Sequence, residues 1–364
     1  MKMNNRYRLF SEVTPFYCDL FDAIAQAEEA ISMMYLIYDK GYWTEKINEV
    51  LVAKREAGVR VRIMVDLLGT IADHPANIFH NLRMLKRLEK AGIEINIFRP
   101  SGSRISFADR LHIKLLAIDQ TTLFIGGSNM GDYYTKWQDS NLRIDGDFGQ
   151  AGHDLYEFVA ANSLKEKEKY QKKQPEINLS NVWFGDAQVL LTMPGSRKDI
   201  RRGMLDLVLN TKDTIYFRHW YFLPNKEFLN AMLSQLEHGV NLRVLLSHST
   251  RIPIIDIANH IAIKKLVQVG AQVFRYHTRY MHSKVTWNES GDIIFGSANI
   301  EEKGLNSNFE LCLKINCQTL SDELTQCFNR DCAISLNQTP TVLKNQHLLK
   351  IILAYMLCLA SPLL

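Results

Sequence analysis

Cysteine is scarce, with six in 364 residues (Cys18, Cys312, Cys317, Cys327, Cys332 and Cys358) and no C-x-x-C pair among them. That usage excludes a zinc module and a disulfide scaffold, and it predicts a reducing compartment. An excess of one charge is also lacking: 43 Lys and Arg against 39 Asp and Glu leave a net charge of +4. A nucleic-acid groove calls for dense basic residues interleaved with stacking aromatics, so nucleic acid is not expected as a partner, while an anionic membrane is not opposed. The opening MKMNNRYRLFSEV holds no apolar run, and neither a signal peptide nor a membrane span is expected there. An apolar run does close the chain, as IILAYMLCLASPLL from Ile351 to Leu364. A bilayer span takes about 20 such residues, so these 14 are expected to lie in a membrane interface as an anchor.

What the chain does contain is a repeat of itself. AISMMYLIY (Ala30 to Tyr38) is answered by TIYFRHWYF (Thr214 to Phe222), AGVRVRIMVD (Ala57 to Asp66) by HGVNLRVLLS (His238 to Ser247), and AGIEINIFRP (Ala91 to Pro100) by VGAQVFRYH (Val269 to His277). Each copy alternates helix-like and strand-like segments, with EKINEVLVAKREAG and KEFLNAMLSQLEHG carrying apolar residues at helical spacing and ending in glycine. Alternation of this kind predicts α/β units with a mixed sheet. The expected organisation is a first domain over 1–162, a charged linker over 163–180 stopped by Pro175, a second domain over 181–340 and an apolar tail over 341–364.

Each copy then reaches an H-x-K segment. LHIKLLAIDQTTLFIGGSN (Leu111 to Asn129) and MHSKVTWNESGDIIFGSAN (Met281 to Asn299) both read as hairpins, turning at DQTT and ESGD. Strands pairing symmetrically about these turns would set His112 opposite Asn129 and Lys114 opposite Gly127, and likewise His282 opposite Asn299 and Lys284 opposite Ser297. Histidine, lysine and asparagine would then share one end of each hairpin. The small residues Gly126, Gly127, Gly296 and Ser297 would let a phosphate approach the backbone beside the lysine. Asp139 and Glu310, 27 and 28 residues beyond their histidines, are candidates to fix the imidazole tautomers. Basic and aromatic flanks at Arg104, Arg110, Arg275, Tyr276, Arg279 and Tyr280 are candidates to meet headgroups.

Taken together the motifs resemble the phospholipase D superfamily signature, His-x-Lys-(x)4-Asp-(x)6-Gly-Gly/Ser-x-Asn. The first copy matches as His112, Lys114, Asp119, Gly126, Gly127 and Asn129, and the second as His282, Lys284, Gly296, Ser297 and Asn299 with Glu289 in place of the aspartate. FIGGSNMGDYY, WQDSNLRIDG, FLPNKEFLNAM and FGSANIEEKGLNSNFE make the chain most similar to bacterial cardiolipin synthases of the phospholipase D type. The resemblance implies two α/β halves related by pseudo-two-fold symmetry, with both histidines at one phosphate. It implies catalysis by His112, Lys114, Asp119, Asn129, His282, Lys284, Glu289 and Asn299, with His112 as nucleophile and His282 as acid and then base. It implies no metal or other cofactor, phospholipid substrates, and a peripheral place on the cytoplasmic side of the cell membrane. The activity implied is phosphatidyl transfer to make cardiolipin, with phospholipid hydrolysis as the alternative; oligomeric state carries no sequence signal.

Overall fold

The computed structural model describes residues 6–99, 109–163, 183–184 and 186–344. Its first sheet has seven strands, β1 (Arg6–Glu12), β2 (Ala30–Tyr35), β3 (Arg60–Asp66), β4 (Glu94–Phe98), β5 (Leu115–Ile118), β6 (Thr122–Gly126) and β7 (Gln138–Asp145), in the order β1-β7-β6-β5-β2-β3-β4. A second sheet has β8 (Trp183–Phe184), β9 (Ala187–Met193), β10 (Arg197–Lys198), β11 (Thr214–His219), β12 (Asn241–Ser247), β13 (Gln272–Tyr276), β14 (Lys284–Asn288), β15 (Asp292–Gly296), β16 (Glu310–Asn316) and β17 (Leu336–Asn337). Its order is β10-β9-β16-β15-β14-β11-β12-β13-β17, with β8 against β9. The run β7-β6-β5-β2-β3-β4 recurs as β16-β15-β14-β11-β12-β13, so the repeat in the sequence is a repeat of the fold. Both sheets are mixed: β2-β3-β4 and β11-β12-β13 are parallel, and the hairpins β5-β6 and β14-β15 are antiparallel.

Parallel neighbours need crossovers, and helices supply them: Tyr42–Glu56 and Ile78–Lys90 in the first copy, Lys226–Glu237 and Pro253–Gln268 in the second. Covered on both faces, β2 is buried without a break from Ile31 to Tyr35, so it lacks the alternation of a half-exposed strand. The glycines that end the first crossover helix of each copy do the work the sequence assigns them. Gly58 (φ 96°) and Gly239 (φ 87°) adopt left-handed backbone, and the next N–H, from Val59 or Val240, closes back onto Lys54 O or Gln235 O at 3.0 Å.

The chain divides into two compact units between Val189 and Leu190, and Asn308–Leu311 goes with the first. Of the expected linker over 163–180 only Ser163 lies within the described residues, and the apolar tail from Ile351 to Leu364 lies outside them, as does Arg104. Among the described residues no helix is long and apolar enough to cross a membrane, and the five cysteines are free thiols.

Hairpin register differs from the sequence expectation by one residue. Leu115 faces Ile125 and Ile118 faces Thr122, and in the second copy Val285 faces Phe295 and Trp287 faces Ile293. Continued by one residue, Lys114 lies opposite Gly126 rather than Gly127, and Lys284 opposite Gly296 rather than Ser297. The cause is the loop between the paired residues, Asp119 to Thr121 and Glu289 to Gly291, which takes a left-handed residue at Asp119 (φ 50°) or Gly291 (φ 80°). One residue of slip turns a strand's side chains to the other face, so the expected histidine–asparagine pairing does not hold.

Candidate active site

In the first copy the H-x-K segment enters its strand under the control of Asp66, the last residue of β3. One carboxylate oxygen accepts the N–H of Leu111 at 3.0 Å and Arg110 Nε at 3.2 Å, and the other caps the short helix Leu67–Ala72 through Gly69 N at 2.9 Å. Arg110 also forms an ion pair with Asp66. Ser247, which ends β12, does the corresponding work in the second copy: its hydroxyl accepts the N–H of Met281 at 3.4 Å, and its carbonyl accepts Arg275 Nη1 at 3.0 Å.

His112 is held by Glu310. Its Nδ1 lies 3.0 Å from Oε2 and 2.9 Å from Oε1 of a carboxylate that is itself wholly buried, and Asn308 Nδ2 donates to the same group at 3.3 Å. A carboxylate at Nδ1 fixes the tautomer with the proton on Nδ1 and the lone pair on Nε2, and it stabilises the imidazolium. The sequence expectation set Glu310 beside the histidine of its own copy, and the structure sets it on Nδ1 of His112. The Asn308–Leu311 stretch belongs to the first unit, where Leu111 also forms a bridge to Phe309. Asp139 is buried and accepts from Ser128 Oγ at 3.1 Å.

The lysines behave alike. Lys114 Nζ donates to the carbonyl of His112 at 2.7 Å, and Lys284 Nζ donates to that of His282. Burial pulls the Lys114 ammonium down to about 7, with Glu310 and Asp139 opposing the shift. His282 lies beneath an aromatic, its ring 4.4 Å edge-on from Trp220, whose face is 5.4 Å from Lys284 Nζ. Trp220 was not anticipated: the first copy has Leu36 at that place in the repeat, so the residue broke the pattern by which the site was read. His219, also missed, is buried beside Lys284; burial first, and the lysine charge second, lower it to about 3, leaving a neutral ring on Thr286 Oγ at 2.9 Å.

The asparagines and turn carboxylates receive backbone tasks. Asn129 Oδ1 accepts Ile37 N at 3.2 Å and Asn299 Oδ1 accepts Tyr221 N at 3.4 Å, tying the end of each hairpin to the segment that leaves the adjacent parallel strand. Asp119 accepts the N–H groups of Glu28, Glu29 and Ala30 at 2.8–3.3 Å, and Glu289 those of Lys212, Asp213 and Thr214 at 3.0–3.4 Å. Burial raises both carboxyls, but the amides more than compensate, and both lie below the usual carboxylate range. The structure therefore sets the two turn acids as matched clamps on the approach to β2 and β11. Gly126 is also called for by the fold: a Cβ there would stand 2.7 Å from Asn141 Cα and from Ser140 O of β7, so its smallness admits the neighbouring strand. Gly127 donates to Ser140 O at 3.2 Å, Gly296 faces Cys312 across β15-β16, and Ser297 is buried. Among the described residues no group of three or more histidine, cysteine or carboxylate side chains is placed to hold a metal ion.

Two copies of one family model match the chain, over residues 20–150 and 204–332, and that family is described as cardiolipin synthase, PLD-like domain. Cardiolipin synthase B of Salmonella typhi is 26% identical over 347 residues, covering 90% of this chain and 81% of that protein. Cardiolipin synthase of Clostridium perfringens (strain SM101 / Type A) is 24% identical over 381 residues, covering 99% and 77%. Among solved structures, phosphatidylserine synthase of Haemophilus influenzae Rd KW20 superposes with a TM-score of 0.72 at 14% identity, over 98% of this chain and 95% of that one, a likeness of fold. The matched segments take in both H-x-K hairpins and most of both sheets, and the chain belongs to the cardiolipin synthase family of phospholipase D-like proteins.

Proposed function

We propose that this protein is a phosphatidyltransferase that works through a phosphohistidine, moving a phosphatidyl group from phosphatidylglycerol to the hydroxyl of a second phospholipid to form cardiolipin. The observation that carries the reading is Glu310 on Nδ1 of His112, which leaves the Nε2 lone pair as the nucleophile. Nε2 attacks phosphorus, the bond to the glycerol oxygen breaks, and the leaving alkoxide takes a proton from His282. The acceptor hydroxyl then returns a proton to His282 as its oxygen attacks phosphorus and the P–N bond breaks. Lys114 and Lys284 supply the positive charge that the nonbridging oxygens need in both steps. His112 is assigned the nucleophile because a buried carboxylate holds its Nδ1, and His282, with Trp220 against its ring, is assigned the acid and then base.

Separating the products tests this directly. Purified protein and labelled phosphatidylglycerol in vesicles should give cardiolipin and free glycerol in equal amounts. Phosphatidic acid as the main product would make the protein a hydrolase, and no product from any glycerophospholipid would overturn the enzyme reading.

A further inference from the structure

The first unit gathers its exposed apolar side chains at one end. Ten large hydrophobic side chains are exposed among the described residues, and all four in this unit fall between Tyr42 and Leu82: Tyr42 (58%), Leu68 (37%), Phe79 (76%) and Leu82 (37%). Tyr42 opens the helix after β2, Leu68 lies in the short helix after β3, and Phe79 and Leu82 lie in the first turns of Ile78–Lys90. The three segments are locked together. Asn81 Nδ2 donates to Asp39 at 2.8 Å and to Thr70 O at 3.2 Å, its Oδ1 accepts Lys40 N at 3.0 Å, and Asn77 Nδ2 donates to Asp39 at 3.0 Å. This is the carboxyl end of the parallel strands, the end at which Asn129 binds Ile37 and Asp66 sets the entry to His112. Single exposed hydrophobics need no explanation, but a cluster confined to the catalytic end of a sheet does.

Charge says what covers it. From His80 to Arg87 the helix has no acidic residue, and Arg87 is spent on Glu45, but Arg83 and Lys86, exposed one and two turns beyond Phe79 on the same side, have no ion-pair partner among the described residues. Apolar side chains backed by basic ones fit the interface of a bilayer carrying anionic phospholipid. We infer that this surface, built on Tyr42, Leu68, Phe79 and Leu82 with Arg83 and Lys86, docks the first unit on an anionic phospholipid bilayer. The inference rests on the proposed phosphatidyltransferase reading: it sets His112 at the end of the unit that meets its substrate.

Two double variants of the full chain test it in vesicle sedimentation. Phe79→Ser with Leu82→Ser should bind vesicles of mixed phosphatidylglycerol and phosphatidylcholine about tenfold more weakly or worse. Arg83→Gln with Lys86→Gln should lose binding to those vesicles at low salt and change little on phosphatidylcholine alone. All four side chains are exposed, so melting temperatures should match the parent. Turnover of short-chain phosphatidylglycerol below its micellar concentration should be unchanged, which separates this proposal from the transferase reading, since failure of the latter would show as an inactive parent. Unaltered vesicle binding in both variants would overturn the docking surface. So would a parent that self-associates without lipid and becomes monomeric on Phe79→Ser with Leu82→Ser, which would make the face an interface between copies.

Discussion

In the proposed reaction Glu310 does two things for His112: it fixes the tautomer, and it would offset the charge on the ring when Nε2 is bonded to phosphorus. Glu310→Gln keeps the shape and removes the charge, so kcat should fall by about 100-fold or more with little change in KM and an unaltered fold. A loss confined to KM would mean that Glu310 serves binding instead. Lys114 is the other residue whose surroundings set its chemistry. Burial holds its ammonium near 7, whereas an unfolded lysine titrates near about 10.4. The folded protein therefore gives up this proton before the unfolded chain does. The cost of the buried charge is fully present below about pH 7 and is relieved as the pH rises from there. Removing the charge with Lys114→Met should raise the melting temperature most at about pH 6 and progressively less above pH 7; a gain that does not vary with pH would contradict the burial of a charged amine.

At the scale of elements, the hairpin with its turn acid is the recurring part. Asp119→Ala or Glu289→Ala strips a carboxylate from three amides, an arrangement like a helix cap, and each should cost about 1–2 kcal/mol, the lower end being expected where water reaches the freed amides. Because both carboxyls are held below their usual range, this stability is present above about pH 4 and is lost as the pH falls through the folded-state values, so variant and parent should converge in acid. Glu289→Asp should be mild, since Asp119 does the same job with the shorter side chain, and it should spare kcat. Urea titration at neutral and acid pH checks both expectations; a kcat loss as large as that of His282→Ala would place Glu289 at the phosphate. The hairpins were legible because β-rich runs flank turn residues twice at equal spacing. Their register was not, because the left-handed residue at Asp119 or Gly291 makes a three-residue loop that DQTT and ESGD do not announce. The partner of Glu310 was hidden for another reason. Sequence spacing assigns a carboxylate to the histidine of its own copy, whereas the Asn308–Leu311 stretch leaves that copy and joins the first unit. Trp220 had no counterpart in the repeat to mark it.

For the molecule as a whole, the proposed reaction needs both H-x-K copies. His112→Ala and His282→Ala should each abolish turnover, and the double variant should be scarcely worse than either, because groups acting as a unit are lost together. Two independent sites would instead leave each single variant with roughly half the activity. The unequal roles can be read from one covalent species. With His282→Ala and a labelled phosphatidyl donor whose leaving group is p-nitrophenolate, which departs without a proton, rapid quenching and peptide mapping should find the phosphatidyl group on His112, accumulating because no base is left to activate the acceptor, and absent from His112→Ala. Label on His282 of the parent, or on no histidine in any variant, would contradict the account.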